Sequence, residues 1–164
     1  MKTTIYTCAK CEFENSDFST WGHHYYKIDT HFITINRDIA ICYSCKSIVS
    51  AEILPFENEI NNLEIEKSVS KAELEAIKLA LSSRKTGPRC LNCGSHDFEF
   101  IPNFKISKEQ VRYRLPVRTG LFHRNCGGRI YADTDTPKFF MGDRLPKRYY
   151  NKDGIEIKSP INFK

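Results

Sequence analysis

No stretch of this 164-residue chain approaches the roughly 20 consecutive apolar residues that a membrane helix requires. Its first residues, MKTTIYTCAKCEFEN, hold no apolar leader core, so the expected location is the cytoplasm. No segment is of low complexity. The short motifs of common catalysis are missing as well: there is no G-x-S-x-G, no P-loop, no H-E-x-x-H and no G-x-G-x-x-G. The His and Glu that precede P-C-x-x-C in zinc deaminases are absent. With no catalytic constellation in view, an enzyme is the least expected class.

An even cysteine count is also lacking. Seven cysteines would leave one thiol over in a disulfide framework, and disulfides seldom persist in a reducing cytosol. Metal ligation needs no even number, because histidine can supply a ligand. The spacings fit that chemistry. Cys8-x2-Cys11 is followed after 30 residues by Cys42-x2-Cys45, and Cys90-x2-Cys93 is followed after 29 residues by His123-x2-Cys126. The two arrays lie 82 and 81 positions apart at their first and second knuckles. His123 therefore occupies the place of Cys42, and every cysteine acquires a role. His96, just past the Cys93–Gly94 turn, is the rival fourth ligand of the second array.

The motifs CAKC, CYSC, CLNCGS and HRNCGG resemble those of the zinc-ribbon (rubredoxin-like) family over about residues 5–55 and 88–135. The resemblance implies one tetrahedral Zn²⁺ in each array, two per chain, with all four ligands supplied by protein and so a structural role. The expected sites are Cys8, Cys11, Cys42 and Cys45 in the first ribbon, and Cys90, Cys93, His123 and Cys126 in the second. An all-cysteine site also accepts iron. Knuckles of this kind favour glycine after the second ligand. Gly94 and Gly127 meet that preference, but Glu12 and Lys46 do not. A left-handed backbone there costs a non-glycine residue about 1–2 kcal/mol.

The expected fold class is α+β: two small β-rich zinc ribbons joined by a helix, with a C-terminal β-hairpin. The ribbons fall at 1–55 and 88–164, and a helical connector at 56–87. HFITINRDIAIC suggests a hairpin turning at NRD, with SIVSAEIL as a third strand. Ser70 and Glu73 form a capping box, after which Leu74, Ile77 and Leu81 give one apolar stripe, ending at Thr86-Gly87-Pro88. That stripe covers either its own ribbons or a partner. SKEQVRYRLP is ambiguous: Ser107 and Gln110 make a capping box, yet residues 111–118 alternate as a strand, and the extended form is expected. WGHHYY, Trp21 to Tyr26, is expected as a loop over the first ribbon, with a protein-contact loop as the alternative.

Charge is unevenly placed. Residues 1–83 hold 8 Lys and Arg against 12 Asp and Glu, and residues 84–164 hold 17 against 8. The basic half interleaves cations with aromatics, which suits nucleic acid. Arg112, Arg114, Arg118, Lys147 and Arg148 are the expected phosphate contacts, with Tyr149 or Tyr150 stacking on a base. A protein-interaction adaptor, docking through the helix at 70–84 or through Trp21–Tyr26, is the competing function. An iron electron carrier is a third.

Overall fold

The computed structural model describes residues 3–54, 70–134 and 145–158. Within them the chain is β-rich, with eleven strands and two α-helices. The strands are β1 (Thr4–Cys8), β2 (Glu14–Ser16), β3 (His23–Ile28), β4 (His31–Thr34), β5 (Arg37–Cys42) and β6 (Ser47–Glu52), then β7 (Phe98–Phe100), β8 (Val117–His123), β9 (Gly128–Thr134), β10 (Lys147–Tyr150) and β11 (Glu156–Ile157). Helix α1 spans Lys71–Ser82 and α2 spans Lys108–Tyr113. A 3-10 turn at Asp17–Thr20 links β2 to β3.

Three sheets form among the described residues, and each combines strands from both halves of the chain. Their orders are β2-β1-β9-β8, β11-β10-β3-β4 and β6-β5-β7. In the first, β1 runs antiparallel to β9, with Cys8 opposite Ile130. In the second, β10 lies parallel to β3, placing Tyr149 beside Tyr25 and Tyr150 beside Tyr26. In the third, β5 pairs on one side with β6 and on the other with β7, so Cys42 faces Phe98. The boundary expected between 1–55 and 88–164 is thus crossed by every sheet.

Local chemistry explains most elements. β1, TIYTC, alternates β-branched and aromatic residues and turns Tyr6 into the core at 2% exposure. Its cluster includes Ile41, Ile48, Leu121, Ile130 and Ala132. Helix α1 starts at the Ser70–Glu73 capping box, with both reciprocal bonds made. Its Ile77 and Leu81 pack on Tyr26, Ile28, Ile33, Ile35, Leu91 and Tyr150, so the apolar stripe is used within the chain. The connector expected at 56–87 lies partly outside the described residues, which resume at Ser70.

Several expectations need correction. Residues 108–113 are helical, because the Ser107–Gln110 capping box closes and Arg114 caps the end in a left-handed conformation (φ 50°). The strand begins only at Val117. NRD is not a hairpin turn: β4 pairs back onto β3, while β5 leaves for another sheet. Trp21–Tyr26 is not a loop either. His23–Tyr26 opens β3, which is bonded on both sides, and Tyr25 and Tyr26 are buried. The C-terminal hairpin forms as β10 and β11 around the Asn151–Gly154 turn.

A buried polar knot ties these layers together. Glu52 has no exposed surface, and its carboxylate accepts from Arg84 Nη2 at 2.6 Å, Arg84 Nη1 at 3.1 Å, Tyr26 Oη at 2.9 Å and the Arg89 backbone N–H at 3.0 Å. Four donors from β3, the end of α1 and the third knuckle therefore converge on one β6 side chain. Gly154 adopts φ 73°, and a Cβ there would sit 2.5 Å from Glu52 Oε1, so the tail turn must be glycine to close over the knot.

Candidate metal centres

Three of the four knuckles lie in hairpin turns, and the first of these, Cys8 to Cys11, turns between the antiparallel β1 and β2. β5 ends at Cys42, the chain turns through Cys45 and Lys46, and β6 returns. β8 ends at His123, turns through Cys126 and Gly127, and β9 returns. The β5–β6 and β8–β9 turns each carry a left-handed residue after the second ligand, as the third knuckle does at Gly94. Gly127 has φ 64° and Lys46 has φ 52°, so lysine accepts at that point what glycine accepts without strain. Glu12 is not left-handed, and the β1–β2 hairpin is closed by Cys8 N–H to Phe13 O at 3.0 Å. The third knuckle, Cys90 to Cys93, is a loop. The loop at Cys90 is closed by Cys90 N–H to Ser95 O and Gly94 N–H to Cys90 O, both 2.8 Å.

The knuckles meet in pairs, but the partners are not the expected ones. Cys8, Cys11, His123 and Cys126 form one group, and Cys42, Cys45, Cys90 and Cys93 form the other. In each group the candidate ligand atoms lie within 4.8 Å of one another. The outer pair of knuckles closes around the inner pair, in place of two consecutive arrays. Strand pairing is the cause. Ala9 N–H bonds to Arg129 O at 3.0 Å, which carries the first knuckle to the fourth. Tyr43 N–H bonds to Asp97 O and Glu52 N–H to Arg89 O, both at 2.9 Å, and these carry the second knuckle to the third. Gly128 lets the outer pair close. A Cβ there would press on the Cys8 thiol and on Lys10, 2.9 Å from the Lys10 Cβ.

The geometry matches tetrahedral ligation. Four thiolates at a Zn–S distance of about 2.3 Å would stand about 3.8 Å apart. The inner group has Cys42–Cys93 at 3.6 Å and Cys45–Cys90 at 4.0 Å. The outer group has Cys8–Cys126 at 3.4 Å and Cys11–Cys126 at 3.5 Å. His123 enters through Nδ1, 3.3 Å from Cys11 Sγ and 3.4 Å from Cys126 Sγ. Its ring is 8% exposed and lies between Phe13, with centroids 4.9 Å apart, and Tyr43, at 6.1 Å. His96 belongs to neither group; it is exposed, and its Nδ1 is 2.7 Å from Pro88 O.

Backbone amides reach the sulfurs. The N–H groups of Lys10, Asn92 and Gly128 each point to a thiol at 3.4 Å, those of Cys8, Cys90 and Cys126 respectively. Such contacts favour the thiolate. Burial opposes them. It pushes the Cys90 thiol well above its usual range and, helped by Cys42, raises Cys45 to about 11. Around neutral pH the metal-free inner group therefore keeps protons that a metal must displace. Two cysteine-rich groups that could each hold one metal ion are what the fold assembles.

The two centres also touch. Tyr43, inside the second knuckle, stacks on His123 of the outer group and donates to Glu99 Oε2 at 3.1 Å. Arg124, inside the fourth knuckle, lies 4.1 Å over the Tyr43 ring and pairs with Asp97. No sequence signal marked Tyr43, because a residue between two ligands reveals nothing about the opposite knuckle.

The expected nucleic-acid contacts are dispersed. Arg112 and Arg114 are exposed at the end of α2, and Arg118 is exposed on β8. Lys147 is exposed on β10, and Arg148 is half-buried with Nη1 3.4 Å from Asn92 Oδ1. The two tyrosines face inward. Tyr149 packs on Tyr25 and Phe32, and Tyr150, 1% exposed, donates to Leu91 O at 2.8 Å. Neither ring has a free face for a base.

No protein-family model matches the chain, and no curated protein or solved structure is similar enough to match it. Among the described residues, no helix is long and apolar enough to cross a membrane.

Proposed function

We propose that the chain is a zinc protein built on two nested zinc ribbons, with Zn²⁺ held by Cys8, Cys11, His123 and Cys126 and by Cys42, Cys45, Cys90 and Cys93. The supporting observation is that each group supplies four N or S donors at spacings close to a tetrahedron's edges. Four protein ligands leave no open position for a reacting water, so both ions serve structure. Metal analysis of the purified chain should return two zinc ions, and a colourless protein excludes iron at the all-cysteine site. One metal per chain in a fully folded protein would refute the assignment.

The function carried on this scaffold, in our reading, is nucleic-acid binding through the basic second half. Its support is the 17 Lys and Arg against 8 Asp and Glu in residues 84–164, with Arg112, Arg114, Arg118 and Lys147 exposed. Binding should fall steeply with salt, because phosphate contacts release counterions. A second reading, a protein-binding adaptor, is favoured by one observation: Tyr113, which ends α2, and Leu115, two residues on, stand 62% and 52% exposed. Affinity for a polyanion that does not change with salt would favour that reading over the first.

A further inference from the structure

We propose that the solvent-facing side of β8 and β9 is a stacking platform for unpaired nucleotides, centred on Phe122. The proposal rests on the nucleic-acid reading above and goes further by naming the surface and the strandedness of the ligand. It starts from the strand register. Arg118 is opposite Tyr131, and Phe122 is opposite Arg129. Residues opposite one another on antiparallel strands project from the same face. The other face is the core, where Thr119, Leu121, His123, Ile130 and Ala132 are buried. So these four side chains share the outer face, with an arginine across from an aromatic at each of the two places.

Phe122 is the exceptional member. Its ring is 55% exposed on a strand whose alternate residues are buried, and its immediate neighbour His123 is a candidate metal ligand. Arg129 sets its guanidinium carbon 5.9 Å from the ring centroid, a position from which a cation can reach a phosphate while the ring holds a base. Between Arg118 and Phe122 the strand carries a register irregularity and Gly120 at φ 84°, so β8 itself raises no side chain there, and a Cβ on Gly120 would lie 3.8 Å from Pro102 Cγ. The metal centre below holds β8 and β9 at the His123 turn, giving a face that need not rearrange to bind.

The charges around this face agree with the ligand. Arg112 and Arg114 precede β8 from the end of α2. The carboxylates of the same sheet lie away from Phe122: Asp133 is opposite Ile5 further along β9, and Glu14 is on β2, at the far edge. Duplex ends its stacking inside the helix and offers a ring nothing to stack on, whereas every unpaired base offers a π-face. An exposed ring flanked by arginines therefore selects single strands, and the arginines alone would not.

The test uses the full chain loaded with zinc and a dye-labelled oligothymidylate of about 12 nucleotides, beside a duplex of equal length, in about 50 mM salt. Fluorescence anisotropy reads binding. Wild type should prefer the single strand. Phe122→Ala should weaken single-strand binding by about five-fold to a hundred-fold, with duplex binding changed by less than about two-fold. Phe122→Tyr should restore it. Phe122→Leu keeps apolar volume on the strand without a ring and should fail as alanine does, which covers the case in which the alanine variant loses metal. Arg129→Ala should weaken both ligands and reduce the salt slope by about one. Unchanged single-strand affinity in Phe122→Leu, or an equal loss on duplex, overturns the platform and leaves the nucleic-acid reading standing. Wild type binding neither ligand overturns both.

Discussion

Replacing Cys45 by serine distinguishes nested from consecutive metal sites. Cys45 shares its group with Cys42, Cys90 and Cys93, all with sulfurs inside a 4.8 Å sphere of mutual distances. Removing one of four donors opens that site. Loss of a structural zinc withdraws a large part of roughly 10–16 kcal/mol of apparent binding energy at neutral pH. Three thiols then become reactive, and the geometry specifies which: Cys42, Cys90 and Cys93. The outer group shares no ligand with the inner one and should keep Cys8, Cys11 and Cys126 protected. Consecutive sites would instead release Cys8, Cys11 and Cys42. The diagnostic residues are therefore Cys90 and Cys93 against Cys8 and Cys11. Brief alkylation followed by peptide mass spectrometry reads them directly, with metal content expected to fall from two ions to one. Label on Cys8 and Cys11, with Cys90 and Cys93 still protected, would refute the nesting. Simultaneous release of all six would show that the Tyr43–His123 and Arg124–Tyr43 contacts make the two sites one cooperative unit.

Other perturbations have equally definite outcomes. Glu52→Gln leaves Arg84, whose side chain is 3% exposed, as a buried cation without its partner; denaturant unfolding should show a loss of about 3–5 kcal/mol. His24 is buried with Nδ1 unpartnered, and burial, helped by the charges of Arg37 and Arg148, lowers its pKa to about 3. Its folded value lies below the unfolded one, so the unfolded chain takes up the proton first. This contribution to stability is complete above about pH 6.5 and fades as pH falls toward 3, by about 1–2 kcal/mol at pH 5. His24→Leu should remove that part of the slope in paired unfolding curves at pH 7.5 and 5, while acid loss of metal persists in both proteins. Lys46→Gly should relieve the left-handed lysine at φ 52° and strengthen the second knuckle by up to about 1 kcal/mol, read as slower metal transfer to a chelator.

What the sequence made legible was chemistry at short range. The eight candidate ligands stand out by spacing alone, and the repeat chose His123 over His96, which the structure leaves outside both groups. Both capping boxes and the C-terminal hairpin were visible because each is decided within a few residues. The partnership of the knuckles was not. A C-x2-C turn has the same form whichever turn it meets, and the 30, 44 and 29 residues between successive knuckles are all long enough to close either way. The decision lay in β1 pairing with β9 and β5 pairing with β7, and neither pairing leaves a mark in local periodicity. Tyr149 and Tyr150 misled for a related reason. Beside Lys147 and Arg148 they suggest an exposed patch, but a parallel neighbour, β3, covers them. Phe122 was passed over because alternation in β8 can be seen only once the strand is known to begin at Val117.

The nested closure also imposes an order on synthesis. A chain leaving the ribosome presents Cys8, Cys11, Cys42 and Cys45, a complete set of four thiols, 45 residues before Cys90 appears. At about 5–20 residues per second that interval lasts about 2–9 s. During it, any metal captured by those four thiols joins two knuckles that belong to different centres. The inner centre can close once Cys93 has emerged, and the outer one waits for Cys126. With both groups binding metal as proposed, early metal would join the wrong knuckles, and metal arriving after synthesis would not. Growth with metal supplied only after synthesis should give a larger share of correctly paired protein than growth in continuous excess.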